Sequence, residues 1–178
     1  DAEGPETDAW YSNNANISIL TESSGNKYWH VEHNGKNESY WTYLRQKTTF
    51  EPGVTYYYSF DFRLGKGADG SSVTTRANIN PRYKDLLKEN AGTNIYDHNF
   101  NFAPEDTPHT TSSSWTTYKG SFTISMGYTE GGVNGGYDEI TFFTNPVNSN
   151  TNPVAFDFDT AGCNAACLQS VLVDYDGG

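Results

Sequence analysis

Residues 54–63 have the pattern of a β-strand whose two sides differ in chemistry. Side chains of a strand alternate between its two faces. One face would carry Val54, Tyr56, Tyr58, Phe60 and Phe62, and the other would carry Thr55, Tyr57, Ser59, Asp61 and Arg63. The second set places an aromatic ring, a hydroxyl, a carboxylate and a guanidinium in a row, which suits recognition of a neutral polyhydroxylated ligand. The solvated outer face of a sandwich strand would give the same pattern.

A second aromatic and cationic group lies at residues 41–45. Leu44 is the natural core residue of this segment, so Trp41, Tyr43 and Arg45 would share the outer face. Flat aromatic rings can stack on the apolar C–H faces of sugar rings. We therefore expect Trp41 or Tyr43 to contact the ligand.

Polar partners for such rings would come from neighbouring strands. Arg76 and Asn78 alternate with apolar residues, and a guanidinium binds vicinal hydroxyls with fixed fork geometry. The arginines could equally form ordinary cross-strand salt bridges with Asp61 or Glu139. The predicted ligand-binding set is Trp41, Tyr43, Tyr57, Asp61, Arg63, Arg76 and Asn78, joined by Tyr96 and Tyr137 from long loops.

Most other aromatic residues are expected to be structural. In the segment 28–33, Val31 points inward and takes Trp29 with it, which leaves Tyr28, His30 and Glu32 on the opposite side. Trp115 is likewise predicted to lie in the core.

The sequence offers little for catalysis, and we predict a non-enzyme. It lacks the paired carboxylates of a retaining glycosidase motif, the Gly-x-Ser-x-Gly nucleophile elbow and the His-Glu-x-x-His zinc motif. The enzyme alternative is a β-sandwich polysaccharide lyase, in which histidine and tyrosine act as base and acid and an arginine neutralises a uronate. A third alternative, a cell-surface adhesin domain, predicts an exposed apolar patch instead.

Composition and pattern predict one all-β domain spanning residues 1–178. The chain has 13 Tyr, 10 Phe and 17 Gly, and aromatic residues make up 15% of it, which favours strands and turns over helices. Short apolar runs separated by turn residues suit a two-sheet β-sandwich. The predicted strands are residues 17–20, 27–33, 40–47, 54–64, 73–79, 116–125, 139–144, 154–158 and 168–175, with one weak helix at 81–90.

The net charge and the cysteine content limit which partners the protein can bind and in which compartment it can work. The net charge of −11 disfavours nucleic acid and anionic membranes, and no apolar run is long enough to span a bilayer. A chain that begins at Asp1 is expected to be a mature or excised segment that works outside the cell. The spacing of Cys163 and Cys167 permits a small disulfide in an oxidising compartment, and two unpaired thiols are the alternative.

Several phrases, taken in order, resemble the carbohydrate-binding modules of the family 4, 9, 16 and 22 type. One phrase of those modules is matched at Phe50, Pro52, Gly53, Tyr56, Ser59, Phe60 and Arg63, and a later one at Trp115, Gly120, Phe122 and Thr123. The last strands depart from the family, because a cysteine-bearing insertion separates residues 156–159 from residues 171–174.

The resemblance implies a jelly-roll-like β-sandwich and a non-catalytic role. Such a module would bind a β-1,4-linked plant polysaccharide, xylan or β-glucan, in a shallow groove. It would be secreted or displayed on the cell surface, covalently linked to the catalytic domain of a polysaccharide-degrading enzyme.

The resemblance also implies a structural Ca²⁺ away from the sugar site, between the N-terminal segment and the last strand. Calcium takes six to eight oxygen ligands, and the acidic residues near both ends could supply them. Asp159 is the first choice by its position in the resembling phrase, and solvated acidic termini are the alternative. The predicted metal set is Asp159, Asp157, Glu6 and Asp174.

Overall fold

A computed structural model describes residues 10–36, 39–50, 55–84, 94–96, 100–101, 108–123, 129–130, 133–134 and 137–159. Within these ranges the regular secondary structure consists of strands alone. Two antiparallel sheets make up the body of the fold, which confirms the predicted two-sheet β-sandwich. Among the described residues, no helix is long and apolar enough to cross a membrane.

Sheet A has six strands in the order β1-β4-β14-β7-β8, with β9 also pairing with β7. Their bounds are β1 Trp10–Tyr11, β4 Thr42–Phe50, β7 Ala77–Lys84, β8 Asn94–Tyr96, β9 Phe100–Asn101 and β14 Tyr137–Thr144. Strand β14 lies at the centre and pairs with β4 on one side and β7 on the other.

Sheet B has five strands in the order β11-β5-β15-β3-β2. Their bounds are β2 Ala15–Thr21, β3 Lys27–His33, β5 Thr55–Gly67, β11 Thr116–Thr123 and β15 Val154–Asp159. Two further two-stranded ribbons join β6 Thr74–Thr75 to β10 His109–Thr110, and β12 Thr129–Glu130 to β13 Val133–Asn134.

The core lies between the two sheets and is largely aromatic. Phe142 of sheet A contacts Phe158 of sheet B with ring centroids 4.6 Å apart, and Phe60 lies 5.4 Å from Phe142. Fully buried side chains come from both sheets, and they include Phe60, Phe62, Phe156, Phe158, Leu44, Ile79 and Ile140. The period-of-two predictions for Leu44, for Trp29 and for residues 55–63 are therefore confirmed, since Leu44, Trp29, Tyr56, Phe60 and Phe62 lie in this core and Tyr58 packs against it. Val54 lies outside the described residues.

The predicted helix at 81–90 is wrong in its first four residues, which continue strand β7 as far as Lys84. Residues 85–90 lie outside the described ranges. Pro81 is compatible with this strand because, among the described residues, its position lacks a hydrogen-bonded partner on one side. On the side of β7 away from β14, β9 pairs with residues 78–79 and β8 pairs with residues 82–84, so Pro81 lies between the two short strands.

The predicted strand at 73–79 is divided at Arg76. Thr74 and Thr75 pair with β10 in a separate ribbon, and pairing with β14 begins at Ala77. The last predicted strand, residues 168–175, lies outside the described residues.

Candidate functional site

The outer face of sheet A, the face turned away from the core, carries aromatic, cationic and amide side chains in neighbouring rows. Tyr43 of β4, Phe143 of β14 and Asn78 of β7 lie side by side in register. The next row places Arg45 of β4 beside Thr141 of β14. Alternation along three adjacent strands therefore gathers these five residues into one surface, which we call the sheet A face.

Contacts between rings and cations hold this surface together. The Tyr43 and Phe143 ring centroids are 5.6 Å apart, and the Arg45 guanidinium carbon lies 4.8 Å from the Tyr43 ring centroid. At the next register position Lys47 lies over the Tyr11 ring, at 5.7 Å. An arginine against a ring face is a favourable electrostatic contact that also fixes the orientation of the guanidinium fork.

Four of the five residues of the sheet A face are shielded from solvent although they lie outside the core. Thr141 is 1% exposed, and Arg45, Asn78 and Phe143 are each 7% exposed. A solvated outer face of an antiparallel sheet would leave such side chains exposed. Tyr43 is only half-buried, so its ring is the part of the sheet A face that the apolar C–H face of a ligand can reach, and Arg45 packs against that ring.

The structure divides the predicted ligand residues between two sheets. Tyr43 and Asn78 lie on the sheet A face, while Tyr57, Asp61 and Arg63 lie on the outer face of sheet B, because β5 belongs to that sheet. The prediction that all of them form one surface is therefore wrong in its geometry. Their individual roles in binding remain predictions.

The remaining predicted residues lie at the borders of sheet A. Trp41 is half-buried just before β4, where its carbonyl accepts a hydrogen bond from Asn14. Arg76 is exposed at the break before β7. Tyr96 lies in β8, whose backbone pairs with Arg82, and Tyr137 begins β14.

Arg63 is the centre of an ionic and aromatic cluster on the outer face of sheet B. Its Nε donates to Asp157 Oδ2 at 2.6 Å, and an Nη donates to Glu22 Oε1 at 2.8 Å. The guanidinium carbon lies 4.2 Å from the Trp115 ring centroid and 4.8 Å from that of Tyr28. The salt-bridge alternative for Arg63 is thus realised, with Asp157 and Glu22 as partners in place of Asp61 or Glu139.

Trp115 belongs to this cluster, so its predicted core position is wrong. Its indole Nε1 donates to the same Glu22 oxygen at 2.8 Å, and its ring meets Tyr28 edge-on at 5.3 Å. A position directly before β11 places it on the outer face, where the Arg63 guanidinium covers it.

His30 completes the cluster on its other side. Its Nδ1 lies 2.7 Å from Asp157 Oδ1. The hydrogen bond to Asp157 raises the pKa of His30 above its usual 6.5, and this effect exceeds the opposing effect of burial. Both Asp157 oxygens are therefore held by basic side chains.

The predicted calcium set does not fit at Asp157, because a carboxylate paired with Arg63 and His30 is a poor cation ligand. Asp159 is 5% exposed, and its Oδ2 accepts a hydrogen bond from Asn26 at 3.0 Å. In the part of the chain that the structure describes, no three acidic, histidine or cysteine side chains cluster as metal ligands would. Glu6, Asp174 and the predicted Cys163–Cys167 disulfide lie outside the described residues.

The fold was compared with solved structures. The second xylan-binding family 22 carbohydrate-binding module of Xyn10C from Paenibacillus barcinonensis superposes with a TM-score of 0.53 at 10% identity, over 85% of this chain and 88% of that one. The C-terminal family 22 module of Xyn10B from Clostridium thermocellum gives 0.51 at 19% identity, over 86% and 87%. The chain has the fold of a family 22 carbohydrate-binding module.

A larger structure shows the same fold beside an enzyme. The family 22 and GH10 modules of endo-1,4-beta-D-xylanase 10B from C. thermocellum, in complex with xylohexaose, match with a TM-score of 0.52 at 13% identity. The alignment covers 85% of this chain but only 25% of that one. No protein-family model and no curated protein matches the chain. The resemblance seen in the sequence is therefore confirmed as a likeness of fold.

Three residues of the sheet A face were not in the predicted ligand set. Arg45 was expected on the outer face beside Tyr43, but its low exposure and ring contact needed the structure. Phe143 follows Phe142, and two adjacent phenylalanines leave open which one faces the core. Alternation from Ile140 would have placed Thr141 and Phe143 outward together.

Proposed function

We propose that this chain is a non-catalytic carbohydrate-binding module of a secreted polysaccharide-degrading enzyme. Its ligand is a β-1,4-linked plant polysaccharide, xylan or β-glucan, bound on the sheet A face. The observation that supports the proposal most directly is the cluster outside the core in which the half-buried Tyr43 contacts both Phe143 and Arg45.

The chemistry of the sheet A face suits a neutral sugar chain. The Tyr43 and Phe143 rings offer apolar surface for the C–H face of a pyranose. Arg45 and Asn78, each 7% exposed, bring a guanidinium and an amide to the same surface beside these rings. Asn78 Nδ2 donates to Asn145 Oδ1 at 3.0 Å, which orients the amide oxygen for a further bond.

Attachment to a catalytic domain is supported by analogy of fold. The matching C. thermocellum structure joins a module of this fold to a GH10 module in complex with xylohexaose. We extend both features, the covalent enzyme partner and the xylan-like ligand, to this chain as part of the proposal. A secreted or cell-surface location follows from them, since plant polysaccharides are met outside the cell.

The lyase alternative is not favoured. His109, Tyr118 and Arg63 do line one depression of about 370 Å³. However, Arg63 is already paired with Asp157 and Glu22, so it would not neutralise a uronate. Burial also lowers the pKa of His109, which makes its ring a weaker base.

The adhesin alternative lacks its expected patch in the described chain. The exposed large apolar residues there are Ile19 and Leu20 on β2, Tyr40 before β4 and Tyr57 on β5. They are spread over three segments, and single exposed apolar residues are normal on a protein surface.

Affinity electrophoresis tests the proposal directly. The chain is run in native gels that contain xylan, β-1,4-glucan, mannan or alginate, with an unrelated acidic protein as mobility standard. We expect retardation in xylan or β-glucan gels and none in alginate. Unchanged mobility in all four gels would reject the proposal, and release of unsaturated uronates from alginate would favour the lyase.

A further inference from the structure

A depression of about 430 Å³ lies on the outer face of sheet B, on the opposite side of the sandwich from the sheet A face. Strands β3, β5 and β15 and the loop after β5 line it. Its volume falls within the range of small-molecule sites. The side chains that the argument uses are His30, Glu32, Gly65, Lys66, Ala155 and Asp157.

The floor of the depression is made of small residues at a β-bulge. Val154 pairs with Gly67 and Phe156 with Leu64, so Ala155 faces both Gly65 and Lys66. A Cβ on Gly65 would lie 2.8 Å from the Ala155 carbonyl oxygen and 3.1 Å from its Cβ. Only glycine fits there, and the two strands leave a floor without projecting side chains. Bulges of this kind are frequent beside functional sites.

The rim carries charged groups of both signs. Glu32 and Lys66 are exposed, and neither takes part in an ion pair within the described part of the chain. Asp157 holds His30 through Nδ1, which leaves Nε2 as the ring nitrogen that can meet a ligand. Arg63 holds the other oxygen of Asp157, so the carboxylate and the imidazole are both fixed in orientation.

This mixture of charges selects the class of ligand. An anion would be attracted by Lys66 and His30 but repelled by Glu32 and Asp157, and the opposite holds for a cation. A neutral ligand that bears several hydroxyls can satisfy both kinds of group, since each hydroxyl donates one hydrogen bond and accepts others. Its C–H face can lie on the Gly65 and Ala155 floor.

We propose that this depression is a second carbohydrate-binding site that takes one or two residues of a neutral sugar, separately from the polysaccharide on the sheet A face. The contacts come from Lys66, Glu32 and His30 around the flat floor. This inference does not depend on the sheet A face, because the two surfaces share no strand.

The test is an NMR titration of the ¹⁵N-labelled chain with xylobiose, cellobiose and, as a charged comparison, glucuronic acid. We expect saturable shifts of the Glu32, Lys66, Gly67 and Ala155 amides with a neutral disaccharide, and these should persist in Tyr43→Ala. In the same spectra, shifts of the Arg45 and Thr141 amides report binding at the sheet A face. Absence of binding at one site can therefore be distinguished from absence of binding at the other.

Two surface variants assign the contacts. Glu32→Ala and Lys66→Ala remove exposed side chains, and each should weaken binding at the depression by about tenfold. Lys119→Ala on β11 removes a matched exposed lysine and should leave the affinity unchanged. The proposal is overturned if neither neutral disaccharide changes the chemical shifts of the amides around the depression. A response to glucuronic acid alone overturns the assignment to neutral sugars.

Discussion

Arg63 and Asp157 form an ion pair across the neighbouring strands β5 and β15, with Nε and Oδ2 2.6 Å apart. Each side chain is 14% exposed, and the guanidinium lies against both the Tyr28 and the Trp115 ring. The pair joins residues that are 94 positions apart in the sequence. It thus ties β15, the central strand of sheet B, to its neighbour β5.

Replacing Arg63 should destabilise the fold. In Arg63→Met the Asp157 carboxylate loses a partner at low exposure, and both rings lose a cation. We expect the free energy of unfolding to fall by about 2–3 kcal/mol, below the value for a fully buried pair because some solvent reaches this one. Urea denaturation measures it, with Lys119→Met as the control. A loss below about 0.5 kcal/mol, as for an ordinary surface site, would contradict the role of the pair.

His30 should make stability fall as pH rises above about 6.5. Its pKa is raised in the folded state, mainly by the hydrogen bond to Asp157, so the protonated ring stabilises the fold. That contribution is complete below the unfolded-state pKa of about 6.5 and is lost as pH rises through the folded-state pKa. Urea denaturation at a series of pH values should therefore show stability falling in this window, and His30→Gln should flatten the fall.

His109 provides the internal control, because its behaviour is opposite. Burial lowers its pKa, so its neutral ring favours the fold and stability falls as pH drops below about 6.5. His109→Gln should change only this acidic limb. If His30→Gln alters the fall in stability below about pH 6.5 and leaves the fall above it unchanged, the assignment to the Asp157 bond is wrong.

Gly120 should tolerate no side chain. On β11 it faces Tyr58 of β5, and a Cβ there would overlap the Tyr58 hydroxyl and lie 2.6 Å from the ring carbon that bears it. The Tyr58 ring also stacks on Phe60, which limits its freedom to move away. Gly120→Ala should lower the free energy of unfolding by about 1–3 kcal/mol. The neighbouring exposed position gives the control Ser121→Ala, and equal stability of both variants would show that Tyr58 yields without cost.

Tyr43 and Tyr57 should differ in their effect on polysaccharide binding. Both were predicted ligand residues, but they lie on opposite sides of the sandwich. Tyr43→Ala should weaken binding to xylan or β-glucan by about 2 kcal/mol, as for an aromatic hot spot. Tyr57→Ala removes a tyrosine that is 47% exposed and should leave affinity unchanged. Isothermal titration calorimetry with a soluble oligosaccharide distinguishes them, and the reverse order would move the site to sheet B.

The resemblance predicts a Ca²⁺ held by Asp159 and the acidic residues near both ends, and such an ion should raise stability and leave polysaccharide binding unchanged. A ligand that binds only the folded state raises the melting temperature by mass action. We expect a higher melting temperature in calcium than in chelator, a smaller difference in Asp159→Asn, and equal affinity for polysaccharide in both conditions. An identical melting temperature with and without calcium would remove the site.

The local pattern predicted much of the sandwich. Alternation placed Phe60 and Phe62 in the core and Arg63 outside, and it assigned strand β3 to residues 27–33 with the bounds that the structure has. It failed at Pro81, where proline suggested a helix start. The structure accommodates that proline in a strand, because two short partners leave a gap beside it.

The candidate site was only partly predictable, for a related reason. Tyr43 and Asn78 were correctly expected on outer faces, yet Arg63 was assigned to the same surface. A strand's period of two fixes which side of its own sheet a residue occupies, but it carries no information on which sheet the strand joins. The low exposure of Arg45 and Thr141 could not be predicted from the sequence either, since exposure depends on the packing of distant segments.

The sequence by itself determined an all-β chain, an aromatic core and the inward or outward direction of most described strand residues. These follow from local alternation and turn residues, which act over a few positions. Only the tertiary structure decided that β4, β14 and β7 form one sheet while β5 and β15 form the other. Strand pairing depends on contacts between distant residues, such as Arg63 with Asp157, and it placed Tyr43 and Arg63 on opposite sides of the sandwich.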